Sequence, residues 1–188
     1  YSITKGRTLV GGTGYNISFV PPVYIHALLY DNGDFAFQSS EDVEEGKTLK
    51  DSYIVEEHKN YAYSNSPWYS QKSIIKNIYF NSEFSPVNMH YWFNSCYSLI
   101  SFNKQNFNVN SVINMHNTFD NCRNFIGVPI CGEKVTDMQN TYCNCYNLTG
   151  SPVCGSNVKL MDNAYYNCRN ITGSPVCGDN VTSMHQTY

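Results

Sequence analysis

Methionine recurs at Met89, Met115, Met138, Met161 and Met184, separated by 26, 23, 23 and 23 residues. Self-similarity at a fixed period of this size marks a chain built from stacked supersecondary units. Other columns keep the same register. An aromatic follows each methionine at Phe93, Phe119, Tyr142, Tyr165 and Tyr188, and a cysteine follows at Cys96, Cys122, Cys145 and Cys168. An apolar residue comes next at Leu99, Phe125, Leu148 and Ile171, and the last three units share Gly-x-Pro-x-Cys-Gly at 127–132, 150–155 and 173–178. One such unit is too small to bury its apolar face alone, so copies must stack around a common core.

Within a unit, Val135, Met138, Tyr142 and Cys145 fall at i, i+3, i+7 and i+10, the spacing of one helical stripe. The stripe recurs as Val112, Met115, Phe119, Cys122 and as Val158, Met161, Tyr165, Cys168. Ser, Thr and Asp near Val112, Val135 and Val181 are placed to cap such helices. Residues 147–150 would then turn the chain into a short extended Pro-Val-Cys stretch. The expected unit is helix, turn, short strand, turn, with a period inside the leucine-rich-repeat range of about 20–29. Its buried columns would be Met115, Met138 and Met161, then Phe119, Tyr142 and Tyr165, then Cys122, Cys145 and Cys168.

Residues 1–88 do not share the period. Residues 24–29 and 34–38 flank Asp31-Asn32-Gly33, a hairpin signal, and 54–55 and 74–80 read as further strands. The acidic run 41–45 reads as a solvated loop, and Pro67-Trp68 as an anchor. The expected fold is therefore α+β: a leucine-rich-repeat-like solenoid of helix and short-strand units behind a small β-rich cap. Its parts would be a strand-turn element or linker over 1–20, the cap over 21–88 and the solenoid over 89–188. Met184 and Tyr188 still match internal columns, so further units or a capping repeat are expected to follow.

The segments Leu99-Ile-Ser-Phe-Asn-Lys-Gln-Asn-Phe107, Val112-Ile-Asn-Met115 and Phe119-Asp-Asn-Cys122 resemble the Leu-Thr-x-Leu … Val-Thr-x-Met-x-x-Met-Phe-x-x-Cys repeat of bacterial surface lipoproteins and BspA-like leucine-rich-repeat proteins. Ser66-Pro-Trp68, Ile74-Ile-Lys-Asn-Ile78 and Phe80 look like the lead-in to such repeats, so the similarity spans 66–188. The shorter units depart from it where Ser151 and Ser174, each beside a proline, replace a strand leucine. Separately, Lys5-Gly-Arg-Thr-Leu-Val-Gly-Gly-Thr-Gly-Tyr-Asn-Ile17 looks like a short module of virion and tail-associated proteins of gut-bacterial phages. These resemblances imply display on a phage particle or a bacterial surface, outside the cytoplasm.

Charge narrows the partners. Twelve Lys and Arg face 15 Asp and Glu, for a net charge of -3, and 24 asparagines outnumber all the cations. No basic stripe exists to displace counterions from nucleic acid. No apolar run approaches the roughly 18 residues of a membrane span. Cys143-Asn-Cys145 with Cys131 and Cys154 could be imagined around zinc, but no Cys-x-x-Cys pair occurs and structural zinc sites use that spacing. Seven of eight cysteines fall in two repeat columns, which points to packed free thiols. His116, Gln139, Asp162 and His185 share one column, which reads as solvent-facing. No nucleophile elbow, phosphate loop or metalloprotease motif is present, so neither catalysis nor a metal or other cofactor is expected. Sequons at Asn147 and Asn170 are a turn asparagine recurring with the repeat.

The column Tyr97, Arg123, Tyr146, Arg169 alternates a ring with a guanidinium along the stack. It is either an exposed ladder that solubilises and stiffens or a recognition strip, since Tyr and Arg are favoured at binding hot spots. The expected function is a non-catalytic adhesion or binding module on a phage virion, tail fibre or bacterial surface. Its partners would be a protein or glycan of a host or neighbouring surface, other virion proteins, or further copies of itself. A purely structural spacer is the alternative.

Overall fold

A computed structural model describes residues 24–55, 59–173 and 177–188. The expected element at 1–20, the phage-like segment within it and Ser174 lie outside the described residues. Strands β1 (Ile25–Tyr30), β2 (Asp34–Gln38), β3 (Leu49–Val55), β4 (Asn77–Phe80) and β5 (Ser101–Phe102) form one sheet in the order β3-β1-β2-β4-β5. β1 runs antiparallel to β2 and β3, whereas β2, β4 and β5 are parallel. The hairpin falls where Asp31-Asn32-Gly33 places it. The Gly33 N–H donates to the Tyr30 carbonyl, Gly33 takes φ +93°, and Asn32 Oδ1 accepts from the Asp34 N–H. A three-residue loop of this kind needs a left-handed third residue, and a Cβ on Gly33 would also lie 2.5 Å from the Ile74 carbonyl oxygen.

One sheet face (Ala27, Leu29, Phe35, Phe37, Ile78, Phe80) enters the main core. On the other face Leu28, Tyr30 and Ala36 pack with Tyr79, under the loop expected to be solvated. Glu44 in that loop is tied down. Lys47 Nζ lies 2.8 Å from both Asp34 Oδ2 and Glu44 Oε2 and donates to the Tyr79 hydroxyl, while Tyr79 donates to Glu44 Oε1. Burial raises the Asp34 pKa, but hydrogen bonds from Lys47, Asn77 and Asn32 outweigh it and hold the carboxyl below its ordinary value. This cluster fastens the loop to the sheet.

The leucine-rich-repeat-like helix and strand unit is overturned. Among the described residues there is no α-helix, only two single 3-10 turns at Tyr69–Gln71 and Val109–Ser111. The architecture is a mixed five-stranded sheet that continues into stacked, helix-free coils. The reason lies two and six residues after each methionine. Asn117, Asn121, Asn140, Asn144, Asn163 and Asn167 all take positive φ, between 53° and 62°. The Thr141 N–H donates to the Met138 carbonyl and the Cys145 N–H to that of Tyr142, both at 3.0 Å. Each is a type II turn, whose third residue takes positive φ and so favours Gly or Asn, although the first coil holds Tyr91 and Ser95 there. A right-handed helix cannot hold a left-handed residue at two places in every run.

A chain of four-residue turns reproduces the stripe that reads as a helix, but it leaves alternate amides unused. Those amides cross to the next coil. The N–H groups of Met138, Asn140, Tyr142 and Asn144 donate to the carbonyls of Leu160, Asp162, Ala164 and Tyr166 at 2.8–2.9 Å. Parallel bridges from Asn88 to Asn114, Asp137, Leu160 and Ser183 carry the same pairing through successive coils. The abundance of asparagine thus has a structural use. Asn147, Asn157 and Asn180 add side-chain bonds to the carbonyls of Arg123, Glu133 and Ser156 in the preceding coil.

The expected columns are buried, though not on helices. Met115, Met138, Met161, Phe119, Tyr142, Cys122 and Cys145 are inaccessible, Tyr165 nearly so, and Cys168 is half-buried. Phe93, Phe119, Tyr142, Tyr165 and Tyr188 form one ring ladder with centroids 5.5–5.9 Å apart and planes within 22°. Cys122, Cys145 and Cys168 each donate a thiol to the carbonyl of the ladder residue one coil earlier, at 3.0–3.2 Å. Thr118 and Thr141 each bond two methionine carbonyls. Gly155 is required for a different reason, because a Cβ there would meet the Gly132 carbonyl oxygen at 2.5 Å. The anchor reading of Trp68 fits its place. It is fully buried, its Nε1–H donates to the Trp92 carbonyl, and it touches Phe35, Phe37 and Phe93. One continuous core therefore runs from Ile25 to Tyr165.

Candidate recognition strip

Register between coils is set by the backbone, so residues at equal places in successive coils stand in line on the surface. Tyr97, Arg123, Tyr146 and Arg169 follow the left-handed Ser95, Asn121, Asn144 and Asn167 by two residues in every unit. The turn that closes each coil therefore presents this column outward. Tyr97, Arg123 and Arg169 are exposed and Tyr146 is half-buried. The Arg123 guanidinium lies 5.7 Å from the Tyr97 ring and that of Arg169 4.8 Å from the Tyr146 ring. Each arginine thus rests on the tyrosine one coil earlier, within the range of a cation–π contact. The four side chains are brought together as two such pairs.

The strip has a further rung that sequence reasoning missed. Lys72 Nζ sits 3.8 Å over the Tyr69 ring and 5.8 Å from Tyr97, so the order along the stack is Lys72, Tyr97, Arg123, Tyr146, Arg169. Lys72 precedes Tyr97 by 25 residues, close to the repeat period, but its coil has no methionine to align on. Beside it, Tyr63 contacts Tyr69 and Tyr91 at 5.8 Å, which widens this end into an aromatic patch. The Tyr69 hydroxyl bonds to Lys72 and Tyr63, and these bonds lower its pKa. Along the other flank, Ile100 and Ile126 are exposed and share a shallow groove with Lys76, Ser98, Asn124 and Asn147.

The histidine column is half-buried at His116, Gln139 and Asp162 and exposed at His185. Gln139 Nε2 donates to Asp162 Oδ2 at 2.8 Å, and Asp162 Oδ1 accepts from Ser183 Oγ and the His185 N–H. These bonds, with Ser183 contributing most, hold the Asp162 carboxyl below its usual pKa. His116 Nδ1 lies 3.3 Å from Asp137 Oδ2, and its ring is 4.9 Å from that of His90, which also pairs with Asn60. Burial and the neighbouring His116 both lower the His90 pKa. Among the described residues, the side-chain hydrogen-bond partners of these two rings are Asn60 and Asp137.

The sulfurs imagined around zinc are engaged separately. Cys145 donates to Phe119, Cys131 accepts from the Gly155 N–H, Cys154 lies against the Met161 sulfur, and Cys143 accepts from Asn144 Nδ2. Among the described residues no group of three or more His, Cys, Asp or Glu is placed to hold a metal ion. Burial pushes the Cys96 thiol up to about 12 and that of Cys154 to about 11, which keeps them protonated and unreactive at neutral pH. Comparison with family models, with curated proteins and with solved structures returns no match.

Proposed function

We propose that this chain is a non-catalytic binding module that uses the Lys72–Arg169 strip to adhere to a protein or glycan on a neighbouring surface. The observation that carries this reading is the stacking of each cation on a tyrosine along a rigid line of coils. Pre-stacked side chains have already lost much of the rotamer freedom that binding would otherwise have to remove. Tyrosine adds a large contact area with few torsions to fix. The resemblance of residues 66–188 to repeats of bacterial surface proteins supports display on a cell or on a phage particle. Catalysis is not part of this reading.

The test is an array of immobilised glycans and surface proteins probed with the chain and with a Tyr97→Ala/Tyr146→Ala double variant. Both substitutions lie on the surface of a stack held by backbone bonds, so the variant should keep its unfolding midpoint. The expected result is defined signals for the parent, reduced at least tenfold in the variant. Signals that survive the double substitution would refute the strip as the contact surface. No signal from either protein would favour a spacer.

A further inference from the structure

The strip also carries a charge pattern. Among the described residues no carboxylate lies within ion-pair distance of Lys72, Arg123 or Arg169, although the chain is acidic overall. The described carboxylates that form ion pairs, Asp34, Glu41, Glu44 and Asp137, serve Lys47, His26 and His116. The cations of the strip are thus left to their rings. They occupy every second rung, with a tyrosine between. Coils linked by parallel backbone bonds advance by about 4.8 Å, so like charges recur at about 10 Å.

From this alternation we propose that the strip binds a linear acidic polysaccharide carrying one carboxylate per disaccharide. This deepens the binding-module reading and rests on it. A pyranose unit is about as long as one rung. Neutral sugars would pack their C–H groups against the outward edges of Tyr97 and Tyr146, whose faces hold the cations, while the acidic sugars between them reach Lys72, Arg123 and Arg169. Guanidinium groups suit this task because their paired N–H donors match the two oxygens of a carboxylate. The amides of Asn124 and Asn147, in the adjoining groove, each offer donors and an acceptor to sugar hydroxyls. Nucleic acid fits less well, since it carries a phosphate at every nucleotide and the strip has a cation only at every second coil.

The experiment is titration calorimetry of the full chain against three probes: a hyaluronan oligosaccharide, a dextran oligosaccharide of equal length and poly-dT. The proposal expects hyaluronan to bind at least tenfold more tightly than dextran or poly-dT, and the affinity to fall as salt screens the exposed cations. An Arg123→Gln/Arg169→Gln variant should lose at least tenfold for hyaluronan while its thermal midpoint stays unchanged. Equal binding of dextran, tighter binding of poly-dT, an unaffected Arg variant or no binding of any probe would each overturn the acidic-glycan assignment. Its failure is separable from that of the parent reading. An array signal lost with the tyrosine pair but kept with the arginine pair would leave a binding module with a neutral ligand.

Discussion

Tyr142→Ala is expected to destabilise the chain by about 3–5 kcal/mol, the range for truncating a large aromatic in a core. Its ring is inaccessible and stacks at 5.5 Å on Phe119 to one side and Tyr165 to the other. Its hydroxyl also closes a local circuit. The Ile130 N–H donates to Tyr142 Oη, which donates back to the Ile130 carbonyl, both at 2.9 Å. Tyr165 makes the same pair of bonds with Val153. Removing the ring leaves both backbone groups of the half-buried Ile130 without their partner, an added cost beyond lost area. Tyr142→Phe isolates that part and should cost about 1–3 kcal/mol. Urea titrations with unchanged slope measure both. Lys104→Ala, at an exposed site, should stay within about 0.5 kcal/mol. A Tyr142→Ala midpoint equal to that of Lys104→Ala would refute the ladder.

Trp68→Ala should cost a similar amount, about 3–5 kcal/mol, for a different reason. Trp68 lies where the sheet meets the coils. It packs edge-on against Phe35 and Phe37 of β2 and stacks on Phe93, the first ring of the ladder. Its indole N–H is bonded to the Trp92 carbonyl. Truncation should loosen both parts together because they share one core. Tryptophan and tyrosine fluorescence followed in the same denaturant series provides the check. Two separated transitions in the variant, one at the parental midpoint, would mean that Trp68 does not couple sheet and coils.

The sheet was legible in the sequence at its hairpin, where turn chemistry is specific: Asp31-Asn32-Gly33 allows few other conformations. The strand end at 54–55 proved to be the tail of a longer β3, because Leu49–Ser52 lack an alternating apolar pattern and are recruited by pairing with β1. The repeat and its buried columns were also readable, since periodicity reports which side chains face inward. The secondary structure of the repeat was not. A stripe at i, i+3, i+7 is compatible with a helix and with consecutive type II turns, and apolar positions alone do not separate them. The separating signal was polar. Asparagine two residues after Met115, Met138 and Met161, and again four residues later, marks left-handed positions that a helix would not accept.

A second covariation was visible but carried no meaning without the structure. The ladder residue is phenylalanine at positions 93 and 119, and tyrosine from 142 on, where a Gly-x-Pro-x-Cys-Gly segment precedes it. The tyrosine hydroxyl is needed there because the residue after proline has no strand partner for its backbone and uses the phenol instead. At the surface, the alternation of Tyr97, Arg123, Tyr146 and Arg169 was legible as a column. Its lysine rung was hidden in a coil that lacks the repeat's methionine.

The straightness of that surface line depends on the coils being stacked turns joined by parallel backbone bonds. Far-UV circular dichroism of the purified chain tests this most directly. Stacked turns and a five-stranded sheet should give a spectrum of β and turn character, without the double minimum of an α-helix. A clear helical double minimum, of the strength expected if residues 112–122, 135–145 and 158–168 were helical, would contradict the account.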